Sequence, residues 1–175
     1  SGSHAYDFLN TAYKSYQEVA DILKVQASDV STKLKQNLET LEEYKLKISN
    51  LRKDELTKLT KEYSSKSSKI NKYNVIIETI SLENTNESRE FALNMINNFD
   101  VDICILFTNI SGKTTIVGST KSSIDLDISL ITNNLSSLYN GGASKDPNLS
   151  IGGGPGKYDT DKAIDSAKQF LKKLL

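Results

Sequence analysis

The segment Gly141–Lys157 holds six of the nine glycines of this 175-residue chain and both of its prolines, and an amphipathic helix follows it directly. Glycine lets the main chain take φ > 0 and lets a partner come close to the backbone. The segment therefore reads as a surface that holds a phosphate backbone or as one that fixes a sharp turn. It is not the G-x-x-x-x-G-K-[ST] phosphate loop, because the glycines are spaced differently and neither Ser nor Thr follows Lys157.

Other groups capable of chemistry are few. Ser1-Gly2-Ser3-His4 reads as an expression scar, and setting it aside removes the only histidine. No Ser-His-Asp or Cys-His arrangement can then be assembled. A zinc site would rest on Cys104 and carboxylates, a poor ligand set, so no metal and no cofactor are expected. Cys104 sits in the apolar run Val101–Phe107 and reads as a buried strand thiol; a single cysteine forms no internal disulfide, which fits a reducing cytosol. Asp125/Asp127 and Asp159/Asp161 stand where helices should begin, and N-capping explains them better than acid–base work. The fragment reads as a binding module and not as a catalyst.

Two regions must position these residues. Residues 5–72 carry 13 Lys/Arg against 10 Asp/Glu and have almost no helix breakers; residues 73–110 carry 1 against 6, and residues 111–175 carry 8 against 6. No segment is basic enough for charge alone to establish nucleic-acid binding. The longest apolar runs fall far short of a membrane span, so no membrane partner is expected. Within 6–72, Phe8, Leu9, Ala12, Tyr13, Tyr16, Val19, Ala20 and Leu23 form one helical stripe that stops near Lys24-Val25-Gln26-Ala27. A second stripe joins Leu34, Leu38, Leu41, Tyr44, Ile48, Leu51, Leu56, Leu59 and Tyr63, and its step of five after Leu51 marks a stutter or a turn near Lys53-Asp54. Such a stripe must be buried, either in a hairpin folded back on itself or in a coiled-coil-like pairing with a second copy. Leu34, Leu38, Leu41, Ile48, Leu51, Leu56 and Leu59 are the candidate dimerisation residues. Ser64–Lys69 reads as a hinge or frayed helix end.

Residues 73–175 alternate strands and helices. A short strand spans Val75–Ile80. A helix capped by Thr85 or Asn86 buries Phe91, Ala92, Met95 and Ile96, and Val101–Thr108 has the near-continuous apolar character of a central strand. A turn at Asn109–Lys113 leads to a hairpin strand, Thr114–Ser119. Further helices begin near Asp125 and near Thr160 or Asp161, with the glycine-rich loop between them. The expected architecture is α/β: a long-helix, coiled-coil-like stalk (5–72) followed by a small α/β domain (73–175) with a central sheet and a glycine-rich loop.

The order strand, helix, apolar strand, hairpin ending Thr115-Ile116-Val117-Gly118-Ser119, helix, then Gly141-Gly142…Pro147…Gly152-Gly153-Gly154 resembles the DHHA1-type domain that ends alanyl-tRNA synthetases and several DHH phosphoesterases. The stalk, with Leu23-Lys24-Val25-Gln26-Ala27-Ser28-Asp29-Val30 opening a long charged helix, is similar to the segment joining the editing and C-terminal (C-Ala) domains in those synthetases. The sequence departs from the family pattern at Ala143-Ser144-Lys145, where glycine is more usual, and at Ser150-Ile151, where Ala-Gln is common. The resemblance implies a cytoplasmic, dimerising appendage that grips the elbow of alanine tRNA so that aminoacylation and editing act together. Recognition of this kind relies on RNA shape, backbone contacts and stacking. The residues it implies are Gly141, Gly142, Gly152, Gly153 and Gly154; Lys145, Lys157 and Lys162 around the loop; Lys113 and Lys121 on the hairpin; and Tyr139 and Tyr158 as stacking platforms. Alternatives are the nucleotide- or single-strand-binding DHHA1 part of a DHH phosphoesterase, the C-terminal extension of a stand-alone alanyl-tRNA editing protein, and a purely structural dimerisation module.

Overall fold

A computed structural model describes residues 2–175, with side chains from His4 onward. The chain forms two compact units, one ending at Lys53 and one spanning Asp54–Leu175. In the first unit, helix α1 (Gly2–Leu23) ends with Lys24 in the left-handed conformation (φ 55°). Lys24 N–H donates to Asp21 O and Val25 N–H to Ala20 O, a Schellman closure built without glycine. A 3-10 turn (Ala27–Asp29) then starts helix α2 (Val30–Ser64). Only Ala20 and Val30 are buried among the described residues of this unit. Phe8, Leu9, Tyr13, Leu34, Leu38, Leu41, Ile48 and Leu51 are all exposed, so α1 and α2 do not bury their stripes in a hairpin.

Helix α2 runs on through Lys53-Asp54 without a turn, and the step of five in its stripe falls at the boundary between the units. Beyond it Leu56 is buried and Leu59 and Tyr63 are half-buried against the second unit's core. This moves the start of the α/β unit upstream of the expected residue 73. It also corrects the assignment of Leu56 to a dimer surface, since its apolar area is already taken, and part of that of Leu59 is taken too.

The second unit is built on a six-stranded sheet of order β1-β2-β3-β4-β6-β5. The strands are β1 (Ser68–Ile70), β2 (Tyr73–Thr79), β3 (Ile103–Ile110), β4 (Lys113–Thr120), β5 (Gly142–Ala143) and β6 (Leu149–Gly154). Only β2 and β3 run parallel, connected through α3 (Thr85–Asn98). Alternate residues of β3 serve two cores. Ile103, Ile105 and Phe107 pack with Ile128, Ile131 and Leu135 of α4 (Ile128–Leu138) and with Ala163, Ala167 and Leu171 of α5 (Thr160–Leu174). Cys104 and Leu106 pack with Phe91, Ala92 and Met95 of α3 and with Leu56. Burial on both faces is why this strand reads as an unbroken apolar run.

The helix starts are fixed by side-chain caps. Asn84 accepts from Glu87 N–H, Asp127 from Ser129 N–H, and Asp159 from the N–H groups of Asp161 and Lys162. The capping reading of the aspartate pairs thus holds for one member of each, while α3 is capped one residue before the expected Thr85 or Asn86. Three strands lie outside the sequence expectation, and the two-residue β5 is one of them, within the glycine-rich segment. β1 occupies part of the Ser64–Lys69 stretch and pairs with β2 around Asn71 (φ 55°), and β6 lies inside the glycine-rich loop.

This packing makes two substitutions on one helix differ sharply in effect. Leu56→Ala should destabilise the second unit by about 2–5 kcal/mol, through lost burial and a residual cavity. Leu46→Ala, on the same helix but exposed, should change it by less than about 0.5 kcal/mol. Urea unfolding of the two variants checks the pair; equal effects would mean α2 does not seal the core.

Candidate nucleic-acid interface

The glycine-rich segment starts where α4 ends. Asn140 is left-handed (φ 58°), its N–H donates to Ser137 O, and Gly141 N–H donates to Ser136 O, a second Schellman closure. Strand β6 then passes between β4 and β5, with Ile116 opposite Gly152, Thr115 opposite Gly153 and Thr114 opposite Gly154. A Cβ on Gly152 would lie 2.3 Å from Ser136 Oγ and 2.7 Å from Gly142 O. One on Gly153, whose φ is +136°, would lie 2.0 Å from Thr114 O. Gly141 and Gly154 are equally tight, against Gly153 O and Tyr139 O, and Gly118 lies under Thr132 and Ile128 of α4. These glycines allow helix, loop and sheet to approach one another. This corrects the expectation of a cradle of free glycine amides at Gly141, Gly152, Gly153 and Gly154. Gly142 is different: a Cβ there would meet nothing closer than Asn133 Oδ1 at 3.9 Å.

Tyr139 is also reassigned. It is 1 % exposed, inside the core under α4 and α5, and has no free face on which a base could stack. Burial pushes its hydroxyl's pKa up, opposed by Thr160 and reinforced by Tyr158 and Asp159. The Tyr158 ring meets Tyr139 edge-on, with centroids 5.8 Å apart, and stays 37 % exposed as the one stacking candidate that reaches solvent.

The lysines divide by the sheet register. Lys113 stands at the β3–β4 turn, where Ser111 and Gly112 both have positive φ, and its neighbour Thr114 pairs with Gly154. Lys157 and Tyr158 follow Gly154, the β6 partner of Thr114, so the chain carries them away from the sheet at the end where Lys113 starts β4. Lys145 lies beyond β5 at the sheet's edge, and Lys162 sits in the first turn of α5. All four lysines are exposed.

Lys121 belongs elsewhere. At the opposite end of β4 its Nζ lies 2.8 Å from Asp102 Oδ1, while Asp102 Oδ2 accepts from Asn74 N–H. Its charge is matched within the fold, and it stands at the end of β4 opposite Lys113, apart from the glycine-rich corner. Burial raises the Asp102 pKa, but the Lys121 hydrogen bond, the Asn74 N–H and the Lys121 charge together outweigh it and hold the carboxyl below its usual 3.8. Sequence reasoning had no signal for this pair, because the two residues are far apart in the chain and meet only through the register of β3 and β4.

The candidate site is thus a set of exposed lysines and Tyr158 around a glycine-packed corner of a mixed sheet in the α/β unit. No family profile matches the chain. Its fold is that of the C-Ala domain: the crystal structure of the C-Ala domain from Aquifex aeolicus alanyl-tRNA synthetase matches with a TM-score of 0.55 at 15% identity, covering 61% of this chain and 97% of that one. In sequence, an alanine–tRNA ligase of Alkaliphilus oremlandii is 20% identical over 174 residues, covering 98% of this chain. The chain spans 20% of the length of that relative. An exopolyphosphatase-related protein from Bacteroides fragilis matches at 18% identity and a TM-score of 0.43, over 68% of this chain and 35% of that one. The resemblance to the C-terminal domain of alanyl-tRNA synthetases, read from the glycine loop and the stalk, therefore holds in sequence and in fold.

Two measurements test the site's construction. Gly152→Ala should destabilise the second unit by about 1–3 kcal/mol through overpacking, whereas Gly142→Ala should stay within about 0.5 kcal/mol; indistinguishable unfolding midpoints would contradict the close approach. The second concerns acid. Because the Asp102 pKa is lowered by folding, the unfolded chain takes up the proton first as pH falls. The pair's contribution is then full above the unfolded value, near 4, and is lost as pH drops through the folded one. Asp102→Asn should accordingly flatten the fall of stability on the acid side of about pH 4, and an unchanged slope there would rule out the pair as its source.

Proposed function

We propose that the chain is a tRNA-binding, dimerising C-terminal domain of an alanine–tRNA ligase, which holds the tRNA elbow so that aminoacylation and editing act on the same bound molecule. The observation that carries this reading is the C-Ala fold, matched over 97% of the solved domain. The alignment with an alanine–tRNA ligase along nearly the whole chain supports it. The chain itself is proposed to be non-catalytic. Its capable groups have other work: Asp127 and Asp159 cap helices, and Cys104 is fully buried. Among the described residues no group of three or more His, Cys, Asp or Glu could hold a metal ion, and no helix is long and apolar enough to cross a membrane.

Binding would use the rim of Lys113, Lys145, Lys157, Lys162 and Tyr158, with Gly142 as the open backbone position. Lysines on phosphates supply affinity without sequence information, and an exposed aromatic supplies a platform for any unstacked base. Dimerisation would use Leu34, Leu38, Leu41, Ile48 and Leu51, which are 47–69% exposed along one helix and lack a partner within the first unit. A sustained apolar stripe between charged faces is what a second helix covers in a coiled coil.

The test is binding of alanine tRNA and of an unrelated tRNA over a salt series, with light scattering on the same sample. Similar affinity for both, a clear salt slope and a dimer are expected. Lys145→Glu with Lys157→Glu should weaken binding to both tRNAs and lower the salt slope by about two, one for each phosphate no longer neutralised. A well-folded chain that binds neither tRNA would reduce it to a structural dimerisation module.

A further inference from the structure

The first turns of α4 and the edge strand β5 enclose a cleft of about 270 Å³, slightly below the usual range for small-molecule sites. Its walls combine different chemistries. Leu130, 54% exposed, and the half-buried Ala143 supply an apolar plate. Asn133 is exposed on the next turn of α4 and offers an amide with both donor and acceptor. Asp127 spends one oxygen on its own helix, where Oδ1 accepts from Ser129 N–H at 2.9 Å and Ser129 Oγ–H at 2.6 Å, leaving Oδ2 for an incoming hydroxyl. Ser144 and Lys145 complete the lining, the lysine as an exposed cation, and Gly142, just before Ala143, is open on its side-chain face, with Asn133 Oδ1 3.9 Å from where a Cβ would stand.

An apolar plate, a bidentate amide, a carboxylate oxygen and a cation are the complements of a base face, a base edge, a ribose hydroxyl and a phosphate. Asparagine pairs with both the donor and the acceptor on the N6/N7 edge of adenine. Unpaired RNA bases are recognised by this combination of stacking and edge contacts. We propose that this cleft is a pocket for one unpaired ribonucleotide, with adenine the preferred base. The base lies against Leu130 and its edge is read by Asn133, while Asp127 Oδ2 accepts from the ribose and Lys145 holds the phosphate. The pocket gives the tRNA-binding reading, on which its natural occupant rests, a residue-level site separate from the end of the sheet where Lys113 starts β4. A free adenosine nucleotide carries the same groups, so the ligand's source is settled by comparison of probes.

The experiment is an NMR titration of the isotopically labelled full chain with AMP, with a six-residue oligoadenylate, with its deoxyribose counterpart and with alanine tRNA. It is repeated for Asn133→Ala, a substitution at an exposed position. Oligoadenylate is expected to move the Asn133 side-chain amide and the backbone amides of Gly142, Ser144 and Lys145. The deoxy oligomer should bind more weakly, and Asn133→Ala should lose about threefold to tenfold in affinity, the scale of one or two hydrogen bonds. AMP binding as tightly as the oligomer would assign the pocket to a free nucleotide and overturn the RNA assignment. If tRNA binds but leaves these signals unmoved, or if Asn133→Ala binds oligoadenylate like the parent chain, the pocket is wrong and the tRNA-binding function stands. If oligoadenylate fills the cleft while tRNA does not bind, the pocket stands and that function falls.

Discussion

Helix α4 lies so close to the sheet that the sheet can carry no side chain beneath it at residues 118 and 152. Thr132 and Ser136 are the helix residues that touch down there, and both are completely buried. Their hydroxyls donate to Ile128 O and Thr132 O within the same helix, so the close contact leaves no stranded polar group. Once α4 is seated this tightly, its end dictates the path of the glycine-rich segment. Tyr139 is driven into the core, Gly141 is pressed against Gly153, and Gly156 N–H is drawn to Tyr139 O. Both the exposed rim and the cleft at β5 are therefore set by a helix-to-sheet distance that only small residues permit.

The same contact explains which parts of the fold could be read from sequence. Central strand β3, the caps Asp127 and Asp159, and the amphipathic α5 announce themselves through apolar patterning and through residue types that bond their own backbone. Strand β6 does not. Gly152–Gly154 offer no alternating side chains, because Ser136 of α4 fills the space at Gly152, Thr114 of β4 that at Gly153 and the Tyr139 carbonyl that at Gly154, so a strand looks like a loop. Strand β1 is three residues long and lies at the sheet edge, where serine and lysine suit solvent. At the ends of α1 and α4 the left-handed residues are Lys24 and Asn140, and the lysine carries none of the signal that glycine usually gives at a helix end.

The candidate site was legible in its location and less so in its members. A cluster of glycines before a helix marked a corner where helix, loop and sheet converge, but residue type could not say which glycines face solvent and which face protein; Gly142 is separated from its neighbours only by the register of β5 on β6. Tyr139 and Tyr158 look equivalent in sequence. One completes the stripe of α4 and is buried, while the other comes after Pro155-Gly156 and remains half in solvent. Lys121 needed the partner Asp102, and the Asn133 side of the cleft needed knowledge of which strand lies beside α4. Likewise Leu51 and Leu56 belong to one stripe, yet only the second falls where the α/β core supplies a surface to cover it.

Cys104 gives the molecule an internal reporter. Its thiol lies on the α3 side of the central strand with no solvent exposure, and burial pushes its pKa far above that of a free thiol. A thiol in that state is chemically silent, since only an exposed thiolate reacts at an appreciable rate. With no other cysteine in the chain, any alkylation must come from molecules in which the centre of the sheet has opened. When reclosing outruns the reagent, the labelling rate measures the population of that open form, and when the reagent wins it measures the rate of opening. The cooperativity of the α/β unit can thus be followed by mass spectrometry at its most protected point, without denaturant and without an added probe.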